Sequence, residues 1–167
     1  NAAYDSTGAG GPFGDIVDQE WSNKVMRVPF NGKASERPVS FTDRTKACDR
    51  YVNKVSEIWF SCREYMRSGQ IRGVGNEMAR EMVSRIYTTI KGSTMRIQVE
   101  SKDDMVKRTG RSPDIADAAF ILLDLVRERH SMAPKRGAES EKATRDRRRK
   151  RARRLDVASL SGHTLQR

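Results

Sequence analysis

The chain has 167 residues, with 33 Lys and Arg against 22 Asp and Glu, a formal net charge of +11. That length suits one domain with a real core and a tail to spare, and its two cysteines, Cys48 and Cys62, with no CxxC spacing and two histidines, exclude a disulfide framework or a structural zinc site and fit a reducing, intracellular setting. No apolar run reaches the length needed to span a membrane and the N-terminus lacks a signal-peptide pattern, so a soluble protein with no membrane partner is expected.

Ala2 to Tyr4 read as a short strand ending at Asp5, and STGAGGPFGD supplies a glycine-rich turn into a helix on which Phe13, Ile16, Val17 and Trp21 share helical spacing. The glycines are not a phosphate-binding loop, because no Gly-Lys-Ser/Thr follows. A strand that opens the chain without an initiating methionine reads as a piece of a longer protein. Val25 to Val28 form a second strand, and an exposed loop starts at Asn31. From Arg44 to about Arg67 the residues Tyr51, Val55, Ile58, Trp59, Cys62, Tyr65 and Met66 recur at three and four, which predicts one long helix stopped by Ser68-Gly69. Cys62 and Trp59 lie on its apolar stripe and belong to the core.

Asn76 is expected to cap a further helix whose inward face is Met78, Met82, Val83 and Ile86. Tyr87 to Ile90 and Met95 to Val99 flank Lys91-Gly92-Ser93 as a hairpin. Ser101 with Asp104 three residues on forms a capping box for a short helix ending near Gly110. After the basic loop, Ser112-Pro113 is a helix start, with the hydroxyl as cap and the proline at the first helical position. Asp114 and Asp117 then stand on one face. Small residues flank Asp117, and Phe120, Ile121, Leu122, Leu123, Leu125 and Val126 make this helix too apolar for a surface, which sets a carboxylate against a core. Such a group must be paired or bind a metal. Asp114 alone reads as a first-turn acid favoured by the helix dipole. Lys102, Lys107, Arg108 and Arg111 are available as ion-pair partners for Asp117 or as phosphate contacts.

From Pro134 onward the chain carries 12 Lys and Arg against 4 Asp and Glu. Residues 1–133 are therefore expected to fold and residues 134–167 to form a basic disordered tail. Its Arg147, Arg148, Arg149, Lys150, Arg151, Arg153 and Arg154 point first to nonspecific nucleic-acid affinity, ahead of a membrane-surface or localisation role.

Tyr4-Asp5-Ser-Thr-Gly-Ala-Gly, the helix with Glu57-Ile58-Trp59, the hairpin ending in Glu100-Ser101-Lys102, and Arg111-Ser112-Pro113-Asp114-Ile115-Ala116-Asp117-Ala118, in that order, resemble the nuclease domain of tailed-phage terminase large subunits over roughly residues 2–130. The resemblance implies an α/β fold of the RNase H-like type, a mixed sheet flanked by helices, incomplete at the N-terminus. It implies endonucleolytic cleavage of concatemeric double-stranded DNA during genome packaging in the host cytoplasm, with the portal protein and the small terminase subunit as partners. Three acidic positions bind metal in that family: Asp5 matches the second and Asp114 or Asp117 the third, with Asp117 favoured. The first-strand acid and the preceding ATPase domain have no counterpart in this sequence. The cofactor implied is a pair of Mg²⁺ or Mn²⁺ ions, hard cations that take oxygen ligands and sit about 3.5–4 Å apart in such sites. With two of the three carboxylates, metal affinity is expected to be reduced. The competing reading is a non-catalytic DNA-binding or portal-docking module acting through its tail. A resolvase or integrase of the same fold does not predict the hairpin and SPDIADA together.

Overall fold

A computed structural model describes residues 2–8, 10–22 and 24–135. Strand β1 (Ala3–Asp5) runs parallel to β2 (Met26–Val28), with Ala3 opposite Met26 and Asp5 opposite Val28, and α1 (Gly10–Glu20) forms the crossover between them. The glycines between β1 and α1 permit close approach: a Cβ on Gly10 would stand 1.8 Å from the Asp5 carbonyl oxygen, and one on Gly14 would meet the Tyr4 hydroxyl at 1.6 Å. The helical period expected for α1 is correct, yet Phe13, Ile16 and Trp21 are exposed, because the helix meets β1 through its glycine face.

The long helix expected from Arg44 is two helices, α2 (Ala47–Arg50) and α3 (Lys54–Arg67). Tyr51 leaves helical geometry at φ −119° and ψ 144° and bridges in parallel to Ile97, while the Asn53 side chain accepts the Ser56 N–H at 3.2 Å and caps α3. The short amide of Asn53 outcompetes continuation of the helix by satisfying a donor that a helix start leaves open. The apolar period carries on through the break because Tyr51, now extended, still stacks on Phe60 at 5.5 Å. Cys62 and Trp59 are in the core, and burial pushes the Cys62 thiol up to about 12, which suits packing and not nucleophilic chemistry.

Helix α4 (Asn76–Ser84) is capped by Gly75, so Asn76 is its first residue and not its cap. Met78 and Met82 pack on the core, whereas Val83 is 83% exposed and Ile86 lies exposed beyond the helix end. The inward face of α4 is thus two residues wide. Strands β3 (Tyr87–Ile90) and β4 (Arg96–Val99) form the expected antiparallel hairpin, with Tyr87 opposite Val99. The expected α/β fold is present: among the described residues a parallel pair, β1–β2, and an antiparallel pair, β3–β4, are accompanied by helices, the strands standing in two pieces and not in one continuous sheet. The Ser101 cap forms: its Oγ accepts the Asp104 N–H at 3.1 Å at the start of α5 (Lys102–Thr109) and donates to the Asp104 carboxylate at 2.7 Å, and Gly110 ends the helix at φ 69°.

Helix α6 (Asp114–His130) lies against α3, and Phe120 meets Trp59 edge-on at 4.5 Å. Leu122 and Val126, expected inside, are exposed, and in their place α6 buries Asp124 and Arg127. These two join Lys54 and Glu57 of α3 in a buried cluster of four charges. Arg127 bonds Glu57 at 2.9 Å and Asp124 at 3.2 Å, and Lys54 reaches Asp124 at 3.0 Å and Glu57 at 3.7 Å. Two cations balance two anions, which is the condition for tolerating them in a core. Pro134 is buried, its carbonyl accepting the Phe41 N–H at 2.8 Å. The basic run from Arg145 to Arg154 lies outside the described residues.

Candidate functional site

Asp5 ends β1 and Asp117 sits in the first turn of α6, and the fold brings both to one cleft of about 480 Å³, together with Arg85, Glu100, Lys102 and Asp103. The Asp5 carboxylate accepts the Thr7 N–H at 2.9 Å, an Asx turn that aims it out of the glycine turn. Asp117 is 6% exposed and held loosely, with Arg85 Nη1 at 3.4 Å and Lys102 Nζ at 3.7 Å. Burial pushes its carboxyl up to about 6; Arg85 and Lys102 pull it down, and Asp5 and Asp114 push it further up. Asp114, by contrast, is exposed, pairs with Lys102 at 2.6 Å and accepts a hydrogen bond from Ser112 Oγ at 2.8 Å. Those two contacts hold its carboxyl below the usual range.

Ser112 was expected to cap α6 and does not. Its hydroxyl turns to the Asp114 side chain, and Pro113, at φ −86° and ψ 48°, takes the cap position without a side-chain hydrogen bond. A carboxylate from another helix does the work: Glu81 Oε2 on α4 accepts the Ala116 N–H at 2.7 Å. Four residues on, Arg85 reaches the Asp117 side chain, donates Nε–H to the Glu100 carbonyl at 3.0 Å and lies over the Trp59 ring at 4.6 Å. Sequence reasoning missed both Glu81 and Arg85. The available signal was a narrow one, a polar pair at helical spacing beside Met78 and Met82.

The four cations expected to contact DNA are all exposed, and each has its own neighbours. Lys102 is in the cleft with Asp114 and Asp117, and Arg108 joins α5 to the hairpin and α4 through Glu100 and the Ser84 carbonyl. Lys107 stands exposed, 3.8 Å from Asp104, and Arg111 lines a second cavity of about 450 Å³ between α4 and α5. Among the described residues no group of three His, Cys, Asp or Glu side chains is placed to hold a metal ion. Asp5 and Asp117 are nevertheless hard oxygen donors on one cleft, and a carboxylate whose ionisation is disfavoured is one that an added cation would relieve.

This architecture is similar in fold to part of the nuclease domain of a terminase large subunit. Two solved structures share it: the large terminase subunit gp2c of bacteriophage Sf6 with calcium, at TM-score 0.52 and 14% identity, and the nuclease domain of the large terminase subunit gp2 of the same virus with manganese and beta-thujaplicinol, at TM-score 0.50 and 16% identity. Both are mutant proteins, and each match covers 71% of this chain and 62% of that one. At that identity the likeness is one of fold. No family model and no curated protein matches the sequence.

Proposed function

We propose that this chain is the nuclease portion of a phage DNA-packaging terminase large subunit, and that it cuts double-stranded DNA at the cleft holding Asp5 and Asp117. The observation that carries the reading is the convergence of these two carboxylates, more than a hundred residues apart in sequence, on one cleft of a terminase-nuclease fold. Asp5 and Asp117 would be ligands for Mg²⁺ or Mn²⁺, with Asp114 auxiliary at the rim. When bound, a pair of such ions activates water and stabilises the leaving oxygen of a phosphodiester. The chain's own residues supply the rest. The Asx turn at Asp5 and the first turn of α6 orient the two carboxylates, Arg85 and Lys102 balance their charge, and the exposed Lys107 and Arg111 steer the DNA backbone. The basic residues from Arg147 to Arg154 add sequence-independent affinity for DNA. Double-stranded DNA is the substrate on this reading, with the portal protein and the small terminase subunit as assembly partners.

The test is Mn²⁺ binding by the full chain and by Asp5→Asn and Asp117→Asn, followed by electron paramagnetic resonance, alongside nicking of supercoiled DNA with and without a chelator. Each substitution should leave the fold intact and weaken Mn²⁺ binding on the order of 10-fold or more, since each removes a ligand. Unchanged Mn²⁺ affinity in both variants would overturn the site, and chelator-insensitive DNA binding without nicking would favour a non-catalytic DNA-binding module.

A further inference from the structure

We infer that Glu81 is a positioning residue for Asp117, holding from outside the cleft the turn of helix that carries it. The inference rests on the proposed role of Asp117 as a metal ligand, and it deepens that role by naming what fixes the ligand in place.

The first turn of α6 begins with its open N–H groups facing a chain that cannot cap them well. Pro113 has no side-chain acceptor, and Ser112 and Asp114 are tied to each other and to Lys102. A helix start in that condition frays unless another group accepts its donors. Glu81 accepts the N–H of Ala116, the residue before Asp117, at 2.7 Å, and its negative charge lies at the positive end of the 17-residue helix. Ala116 is fully buried in the core cluster, so this bond fixes the backbone at a point that already cannot move inward.

Glu81 and Arg85 divide the task. Arg85, at the end of α4, lines the cleft and touches the Asp117 carboxylate itself. Glu81, one turn earlier, lines the second cavity and touches backbone. One helix therefore holds the first turn of α6 at two points, the Asp117 side chain and the Ala116 main chain. Arg85, at 3.4 Å from the carboxylate, is the longer of the two contacts, and the 2.7 Å bond to Glu81 fixes the turn on which Asp117 stands.

The experiment compares the full chain with Glu81→Ala and Glu81→Gln. The glutamine keeps an acceptor for the Ala116 N–H, and the alanine removes it. Three readouts are taken: thermal unfolding, the ¹³Cγ resonance of Asp117 by NMR, and Mn²⁺ affinity. Glu81→Ala should move the Asp117 resonance and weaken Mn²⁺ binding roughly 10-fold, the usual scale for removing an outer partner of a metal ligand. Glu81→Gln should restore most of both. A Glu81→Ala protein that melts earlier but keeps the Asp117 resonance where it was has lost only stability, and that result overturns the inference, as does a glutamine variant no better than the alanine. If Asp117→Asn leaves Mn²⁺ affinity unchanged, the metal reading fails by itself, and the Asp117 resonance still decides whether Glu81 positions that residue.

Discussion

Glu57 and Asp117 are both buried carboxylates packed at α6, and their surroundings treat ionisation in opposite ways. Burial raises the cost of charging Glu57, but Lys54 and Arg127 beside it, with the Ser35 N–H at 2.6 Å and the Ser35 hydroxyl at 2.7 Å, outweigh that cost and hold its carboxyl below the usual range. Asp117 has its two cations at 3.4 and 3.7 Å and further carboxylates nearby, and burial dominates. Saturation with close donors makes the first a structural clamp between α3 and α6. The second is left with unspent negative potential facing a cleft, which is the electrostatic condition for receiving a cation from solution.

The hardest test of this contrast is to unbalance the clamp. Arg127→Met should keep much of the side chain's volume yet strand Glu57 and Asp124 with Lys54 alone. Breaking a buried pair costs about 3–5 kcal/mol, so the urea midpoint should fall sharply. A midpoint within error of the unmodified chain would mean the cluster is hydrated and not a clamp.

The same isosteric change at the two carboxylates should have opposite signs. Near pH 7.5, Glu57→Gln should destabilise, because it removes the charge that Lys54 and Arg127 favour. Asp117→Asn should stabilise by about 1–3 kcal/mol, since asparagine keeps the shape without the charge that burial opposes. The pH profile separates them further. The folded pKa of Asp117, about 6, lies above its unfolded value of 3.8, so the folded state holds the extra proton between those limits. Its contribution to stability is present below pH 3.8 and is lost as the pH rises to about 6. Glu57 runs the other way: its contribution is present above its unfolded value of 4.5 and is lost as the pH falls through its lowered folded value. Urea melts of each variant across pH 3 to 8, a span of about five units chosen to bracket both carboxylates, check this. A destabilising Asp117→Asn at pH 7.5 would show that Arg85 needs the charge more than burial opposes it.

The smallest expected effect concerns two serines that look alike in sequence. Ser101→Ala should cost about 1 kcal/mol, the usual loss for a helix cap. Ser112→Ala should change stability by less than about 0.5 kcal/mol, as a surface substitution that removes no backbone cap. Equal losses would contradict the assignment of the α6 start to Glu81.

The two serines also mark how far the sequence could be read. The helix cap at Ser101 and Asp104, the hairpin from Tyr87 to Val99, the stop at Gly69 and the buried positions of Trp59 and Cys62 were legible, because each depends on residues a few places apart whose preferences agree with the fold. The break at Tyr51 was not, since the apolar period continues through a residue that pairs with Ile97 far along the chain. The face of α4 was read correctly at Met78 and Met82 and misread at Val83 and Ile86: periodicity gives the helix, but what lies across from it decides how much of a side is covered.

For the site, the sequence by itself determined that Asp5 follows a strand at a glycine turn and that Asp114 and Asp117 open a helix. From the small residues beside it the sequence already favoured Asp117 over Asp114, but it could not show what surrounds either. Tertiary structure decided that by burying Asp117 beside Arg85 and leaving Asp114 in solvent with Lys102. It also supplied from α4 the carboxylate that Ser112 does not provide, and from α3 and α6 the four-charge clamp that no local pattern announces. The reason is one of range. Caps, turns and periods are set by torsions and hydrogen bonds within one turn or one hairpin, whereas the cost of a charge is set by whatever the fold packs around it, and those neighbours are remote in sequence.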